Sequence, residues 1–243
     1  MKVDPIEDSK DKVLDQEEDI DKPKGDRELP RIDLNYILNE ISSVLSFKKG
    51  ILYTIRELIL RPGRSIRTFI EDDRNKLVKP VIFVIFCSFL YTVLQRFLGF
   101  DDGFFRLEAE DKELAAMMIF SWIQDNYGYT NILMSLFIAL WIKVLFKKYG
   151  YNFFELLILL FYVSGFNMLV YALLGVIEIF SGIKLFSAAG IIGFLYSNWA
   201  IAQFFDGRRV LNYFKAAISY FLGLVIFTIA VIAVSIVIEI LVQ

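Results

Sequence analysis

The sequence predicts an all-α protein: a polytopic membrane helical bundle with five transmembrane helices, preceded by cytoplasmic amphipathic surface helices. Hydrophobic residues make up 56% of the 243 residues, whereas a soluble domain averages about 45–50%. The charges are also segregated, because five apolar stretches hold 116 residues but only six of the 54 charged side chains. Stretches of this length and polarity are typical of membrane helices. The pattern excludes a soluble globular enzyme.

The loops between the predicted spans indicate their orientation. The spans are predicted at residues 80–100, 130–146, 153–180, 183–205 and 216–242. The loop 101–129 carries seven acidic and two basic residues, while the connections after the second and fourth spans are basic. Because cytoplasmic loops are enriched in Lys and Arg, we predict a multi-pass membrane protein with a cytoplasmic N-terminus and an external C-terminus. The apolar run Leu114–Ile123 in loop 101–129 is too short to span, and an interfacial or re-entrant helix is expected there.

Residues 1–30 are predicted to be a disordered acidic tail. They contain eleven acidic, six basic and seven apolar residues, too few apolar side chains to form a core. They also lack the basic start and apolar centre of a signal peptide, so the first span is expected to act as an uncleaved signal anchor. The tail either docks a partner or is simply solvated.

Residues 31–79 are predicted to form a cytoplasmic juxtamembrane region of short helices. A first helix follows Asp33, with Leu34, Leu38, Ile41 and Leu45 on one face. A second runs from Ile51 to Leu60 with Ile51, Ile55, Leu58 and Ile59 on its apolar side, and a third covers Ser65 to Glu71. Between them, Pro62 fixes one backbone angle and Gly63 permits a left-handed turn, so a sharp reversal is expected.

The same region is strongly basic just before the first span. Nine basic residues between Lys48 and Lys79 face four acidic ones. Such a segment is expected to lie on an anionic membrane surface with its apolar stripe among the headgroups. We therefore predict a lipid or other anion site formed by Arg61, Arg64, Arg67 and Arg74, whose guanidinium groups suit phosphate. The alternative is that the charges only enforce topology.

Polar side chains inside the predicted spans mark a second candidate site. Asn167, Tyr171 and Glu178 share one face of the third span, and Asn198 lies in the fourth. Either they form interhelical hydrogen bonds or they line a solute path. Small residues at Ala189, Gly193 and Ser197 predict a close helix contact in the fourth span.

The residues absent from the chain limit its chemistry. There is no histidine, and the single cysteine, Cys87, lies in an apolar stretch. This excludes histidine-based catalysis and an internal disulfide. No catalytic residue, metal ligand, cofactor or nucleic-acid partner is predicted.

Three classes of function are compatible with these features. The first is a non-enzymatic membrane protein that binds anionic lipid, a protein partner or another copy of itself through residues 31–79. The second is a channel or transporter for a small solute, with its path between the third and fourth spans. The third, a lipid-active enzyme, lacks a recognisable nucleophile and base.

The juxtamembrane sequence resembles a bacterial family of unknown function whose members have five spans. The matching residues are Thr54, Arg61, Pro62, Gly63, Arg67, Arg74, Lys79 and Pro80, with weaker similarity at 153–157 and 205–208. The resemblance covers residues 30–243 and implies the five-span layout and a location in the bacterial cytoplasmic (inner) membrane, but no activity. Many relatives begin with a zinc ribbon, which is replaced here by the acidic tail, so the resemblance implies no zinc-linked role. Asp72 and Asp73 also stand where the family has glycine and lysine.

Overall fold

The protein is described by a computed structural model that covers residues 50–99, 127–183 and 185–242. Every regular element in these ranges is helical, which confirms the predicted all-α class for this part of the chain. The α-helices are α1 (Ile51–Leu60), α2 (Pro62–Glu71), α3 (Pro80–Leu98), α4 (Tyr127–Leu145), α5 (Phe153–Ser181), α6 (Phe186–Asp206) and α7 (Val210–Val242). A short 3₁₀ helix, Lys147–Tyr149, follows α4. The predictions for residues 1–49, and for the part of the outer loop up to residue 126 that contains Leu114–Ile123, lie outside the described residues.

Within the described residues, four helices are long and apolar enough to cross a membrane. They are Pro80–Leu98, Phe153–Ser181, Ala188–Asp206 and Val210–Val237, with mean hydropathies of 2.0, 2.1, 1.2 and 2.7. Within α4, Tyr129–Leu145 is a shorter apolar helix. These lengths and compositions are those of a multi-pass membrane protein.

The helix ends follow local sequence signals. Asn152 begins α5 with a capping box, because its Oδ1 accepts from the Glu155 N–H at 2.9 Å while Glu155 Oε2 accepts from the Asn152 N–H at 2.7 Å. Gly182 ends α5 with a φ of 68°, a left-handed conformation that glycine adopts without strain. α7 begins at Val210, six residues before the predicted span 216–242, because no helix-breaking residue follows Arg209.

Small residues allow the long helices to pack closely. A β-carbon on Gly165 of α5 would lie 2.9 Å from the Phe83 ring of α3, and one on Gly223 of α7 would lie 2.6 Å from the Ile138 side chain of α4. The predicted close contact along α6 is confirmed, since Gly193 is buried against Tyr171 of α5. Close approach through small residues is the usual way in which membrane helices associate.

The two short helices differ from their predicted form. α2 begins at Pro62 rather than Ser65, since proline is well tolerated in the first helical turn. In α1 the inward residues include Thr54, Glu57 and Leu58, whereas Ile59 is 54% exposed. The sequence placed Ile59 with Leu58 on one apolar side of α1, but successive helical residues point about 100° apart, so Leu58 is buried while Ile59 is exposed.

Candidate functional site

The basic end of the bundle is the end at which α2 meets the connections 146–152 and 207–209. There Arg67 of α2 contacts the last turn of α6. Its Nη2 donates to the Gln203 carbonyl oxygen at 3.2 Å and to the Phe204 carbonyl oxygen, and its guanidinium carbon lies 5.9 Å from the centre of the Phe204 ring. The last carbonyls of a helix have no partner within the helix. Arg67 therefore caps the C-terminal end of α6.

Gly63 allows α2 to approach α6 this closely. A β-carbon on Gly63 would lie 2.2 Å from the Phe204 backbone nitrogen, and the Gly63 N–H donates to Gln203 Oε1 at 3.2 Å. Positive φ angles occur among the described glycines at Gly99, Gly150 and Gly182, not at Gly63. The predicted left-handed turn at Gly63 is therefore wrong. Gly63 is helical, and its missing side chain makes room for another backbone.

A buried carboxylate links α1 to α2. Glu57 is 3% exposed and accepts from Ser65 Oγ at 2.6 Å and from Arg61 Nε and Nη2 at 3.2 Å each. The Ser65 hydrogen bond lowers the pKa of Glu57, burial opposes this, and Arg61 lowers the pKa further. A buried charge needs such partners to offset the loss of hydration. The i,i+4 spacing of Glu57 and Arg61 is a signal that sequence reasoning could have used.

Val78, two residues before α3, is held by hydrogen bonds from both its N–H and its carbonyl group. The Val78 N–H donates to Thr54 Oγ1 at 3.0 Å, and the Val78 carbonyl accepts from Tyr162 Oη at 2.6 Å. The Tyr196 hydroxyl of α6 donates to the Leu58 carbonyl at 3.1 Å. Hydroxyl groups of α5 and α6 thus fix α1 and the start of α3 against the bundle.

The two connections at the basic end also contact each other and α2. The Tyr151 hydroxyl donates to Glu71 of α2, and burial, followed by the proximity of Glu71, raises the pKa of Tyr151. Asn212 Nδ2 donates to Tyr149 Oη at 2.9 Å and to the Asp206 carbonyl at 2.9 Å. Three segments that are distant in sequence therefore meet at one end of the bundle. They are α2 and the connections 146–152 and 207–209, and together they are basic.

The four predicted anion-binding arginines have different surroundings. Arg64 is exposed, Arg61 is exposed but paired with Glu57, and Arg67 and Arg74 are half-buried. Arg67 binds the end of α6 as described above. Other exposed cationic side chains at this end are Arg56, Lys147, Lys148, Arg208 and Arg209, and Arg209 pairs with Asp206 at 2.9 Å. Among these side chains, Arg64 is the predicted residue best placed to meet a ligand from outside.

The predicted intramembrane site is partly assembled. Asn167 of α5 is buried, and its Nδ2 donates to Ser197 Oγ of α6 at 2.9 Å, which donates in turn to the Gly193 carbonyl at 2.7 Å. A β-carbon on Gly193 would lie 2.4 Å from the Tyr171 hydroxyl. Asn167 and Tyr171 therefore both contact α6 within one tightly packed interface.

The remaining two residues of that set stand apart. Asn198 is buried, but its Nδ2 donates to the Phe194 carbonyl of its own helix at 2.9 Å. Glu178 lies seven residues beyond Tyr171, about 10 Å further along α5. Among the described residues, neither asparagine has a hydrogen-bond donor for its buried Oδ1. An unmatched carbonyl oxygen is costly in a membrane interior.

Comparison with known proteins gives one match. Residues 49–92 are similar to the family described as "Protein of unknown function (DUF3667)". No curated protein and no solved structure matches the chain. The matched residues comprise α1, α2 and most of α3, so they include Gly63, Arg67 and the Glu57 cluster.

Proposed function

We propose that the protein is a five-span, non-enzymatic membrane protein whose basic end faces the cytoplasm and binds anionic phospholipid. The observation that carries the proposal is the meeting of three basic segments at one end of the bundle, where the cationic side chains of Arg56, Arg64 and Arg208 are exposed. Each basic side chain close to an anionic leaflet contributes about 1 kcal/mol to binding.

α4 is the proposed fifth span. It has 19 residues, a length of about 28 Å, which is close to the hydrocarbon thickness of a bilayer. It packs along the two longest helices: Ser135 Oγ lies 3.2 Å from Ser164 Oγ of α5, and the Phe137 ring centre lies 5.7 Å from that of Phe227 of α7. A helix held along its length between two spans is best explained as a span itself.

This topology agrees with the distribution of charge. With five crossings and the basic end inside, the connections 146–152 and 207–209 both lie in the cytoplasm, as the positive-inside rule requires. α2 then lies on the same side and covers the end of α6. The lipid-binding surface consists of exposed guanidinium groups around this covered end.

Lipid-dependent stability of the full-length protein tests the proposal. The protein is purified in a neutral detergent, and its melting temperature is measured with added phosphatidylglycerol or phosphatidylcholine. Phosphatidylglycerol should raise the melting temperature of the parent protein more than phosphatidylcholine does. The triple variant Arg56→Gln, Arg64→Gln, Arg208→Gln should lose this difference.

Arg96→Gln is the matched control. Arg96 is exposed in the last turn of α3, at the far end from Pro80, so this variant should keep the preference for phosphatidylglycerol. An undiminished preference in the triple variant would refute the proposal. Native mass spectrometry of the same samples reports bound lipid directly, and a stoichiometric second copy without bound lipid would favour self-association instead.

A second candidate function is passage of a small polar solute between α5 and α6. The buried Asn167 Oδ1 favours it, because no described residue donates to this atom and a solute or water could supply the hydrogen bond. The close contact of Tyr171 with Gly193 is unfavourable to an open path. Solute flux into proteoliposomes that is abolished by Asn167→Leu, but not by the exposed Asn75→Leu, would place this function first.

A further inference from the structure

The outward face of α1 is mainly apolar, while its inward face carries two buried polar side chains beside Leu58. Leu52 is 82% exposed, Ile59 54% and Leu60 56%, and their spacing with Arg56 places all four on one side of the helix. Thr54 and Glu57 lie on the buried side. A helix that borders water has the opposite arrangement. The medium outside α1 is therefore expected to be apolar.

The hydrogen bond from Tyr196 to α1 indicates how deep the helix lies. The apolar part of α6, Ala188–Asp206, has 19 residues, about 28 Å, and Tyr196 is near its middle, about 15 Å from Asp206. The Tyr196 hydroxyl donates to the Leu58 carbonyl at 3.1 Å. If α6 spans a hydrocarbon core about 30 Å thick, the last turn of α1 lies beside the acyl chains.

The contacts of Val78 locate the shallower part of α1. Tyr162, whose hydroxyl donates to the Val78 carbonyl, lies nine residues after Phe153, about 14 Å along α5. Val78 in turn donates to Thr54. Asn167 bonds Ser197 across the α5–α6 interface, so Tyr196 lies deeper in the bundle than Tyr162. Leu58 is therefore the deepest residue of the hairpin that a contact fixes, and the chain has already returned to the end of α6 at Gly63, whose N–H donates to Gln203 Oε1.

The charges on the hairpin fit this position. Arg61, next to its tip, is paired with the buried Glu57, and ionic groups within a membrane are generally paired in this way. Arg56 lies among the exposed apolar residues of α1, and its long side chain can extend to the phosphate level while its stem remains in an apolar layer. Apart from Tyr53 and Glu71, the exposed residues of the hairpin are apolar residues and arginines.

We propose that α1 and α2 form a re-entrant hairpin, and that Leu52, Ile59 and Leu60 contact the acyl chains of the leaflet at the basic end. This inference deepens the proposed function, because it concerns the same end and rests on the same membrane placement. The proposed function names the phosphate group of the lipid as the partner, and this inference adds the acyl chain. It does not depend on the charge of the lipid.

Site-directed spin labelling in nanodiscs of phosphatidylcholine tests the hairpin separately from anion binding. Cys87 is fully buried and is replaced by serine, and single cysteines are introduced at Ile59 or Leu60. The controls are Phe89→Cys, on an exposed position of α3, and Asn75→Cys, on an exposed connection. Power saturation compares access of oxygen, which concentrates in acyl chains, with access of a water-soluble nickel chelate.

Labels at Ile59 and Leu60 should resemble the label at Phe89, with oxygen access severalfold above that at Asn75 and little nickel access. Nickel access at both positions equal to that at Asn75 would overturn the inference. Only variants that elute as the parent protein does in size-exclusion chromatography are compared, and two positions are used so that one misfolded variant does not decide the result. Phosphatidylcholine is zwitterionic, so this experiment does not test anion binding. If the labels face lipid but the protein shows no preference for phosphatidylglycerol, anion binding is refuted while the hairpin is supported.

Discussion

Gly63 and Phe204 are in backbone contact: a β-carbon on Gly63 would lie 2.2 Å from the Phe204 nitrogen. The neighbouring atoms belong to the backbone of α6, which cannot move aside as a flexible side chain can. The Gly63→Ala variant should therefore lose about 1–3 kcal/mol of unfolding free energy. Denaturant titration in detergent measures this loss. Gly50→Ala is the control, because nothing lies within 4 Å of its added carbon; equal stability of the two variants would contradict the contact.

Arg67 should stabilise the protein although it lies in a region rich in exposed cations. Replacement by Met keeps the apolar stem but removes the donors to the Gln203 and Phe204 carbonyls. Hydrogen bonds from charged groups contribute about 1.5–3 kcal/mol, so Arg67→Met should lower the unfolding free energy by that amount. Arg64→Met, at an exposed position, should change it by less than about 0.5 kcal/mol. Equal effects would show that the helix cap contributes nothing.

Tyr151 should make stability depend on alkaline pH. Its pKa in the folded protein is raised, first by burial and then by Glu71, above the unfolded value of about 10. The stabilisation is thus fully present below pH 10 and is lost as the pH rises through the folded pKa. Unfolding free energies measured from pH 9 to 11.5 should fall more steeply for the parent protein than for Tyr151→Phe. Parallel curves would argue against this linkage.

Gly193 and Tyr171 should be energetically coupled across the α5–α6 interface. Gly193→Ala introduces a carbon 2.4 Å from the Tyr171 hydroxyl and 3.0 Å from its ring. Tyr171→Phe removes the nearer atom, so the double variant should be less destabilised than the sum of the single variants, by about 0.5–3 kcal/mol. A double-mutant cycle on unfolding free energies measures this coupling. Additive effects would mean that the two helices do not pack as closely as described.

The sequence predicted the structure best where the prediction depended only on residues close together in the chain. Long apolar runs predicted the membrane helices, and Gly193 marked a close helix contact, because both patterns are local. The role of Gly63 could not be predicted from the neighbouring sequence. The atoms that leave no room for a side chain at this position belong to Gln203 and Phe204. For the same reason Arg67 resembled its exposed neighbour Arg64 in sequence, although the fold gives it carbonyl partners on another helix.

The outward face of α1 shows a further limit of pattern reading. The periodicity grouped Ile59 with Leu58 on one apolar side, but the structure buries Leu58 and exposes Ile59. Thr54 and Glu57 are inward because they serve as hydrogen-bond acceptors for Val78, Ser65 and Arg61. Sequence periodicity reports that a helix has two faces, whereas the partners of its polar groups decide which face is inside.

The contact between Arg67 and Gln203 has a consequence for biosynthesis. The two residues are 136 positions apart, and a ribosome adding about 5–20 residues per second needs about 7–27 seconds to make the intervening chain. Throughout that interval α2 has been synthesised but the end of α6 does not yet exist. The segment shared with the uncharacterised family is thus among the first parts of the described chain to be translated, and it reaches its final position only after α6 is complete.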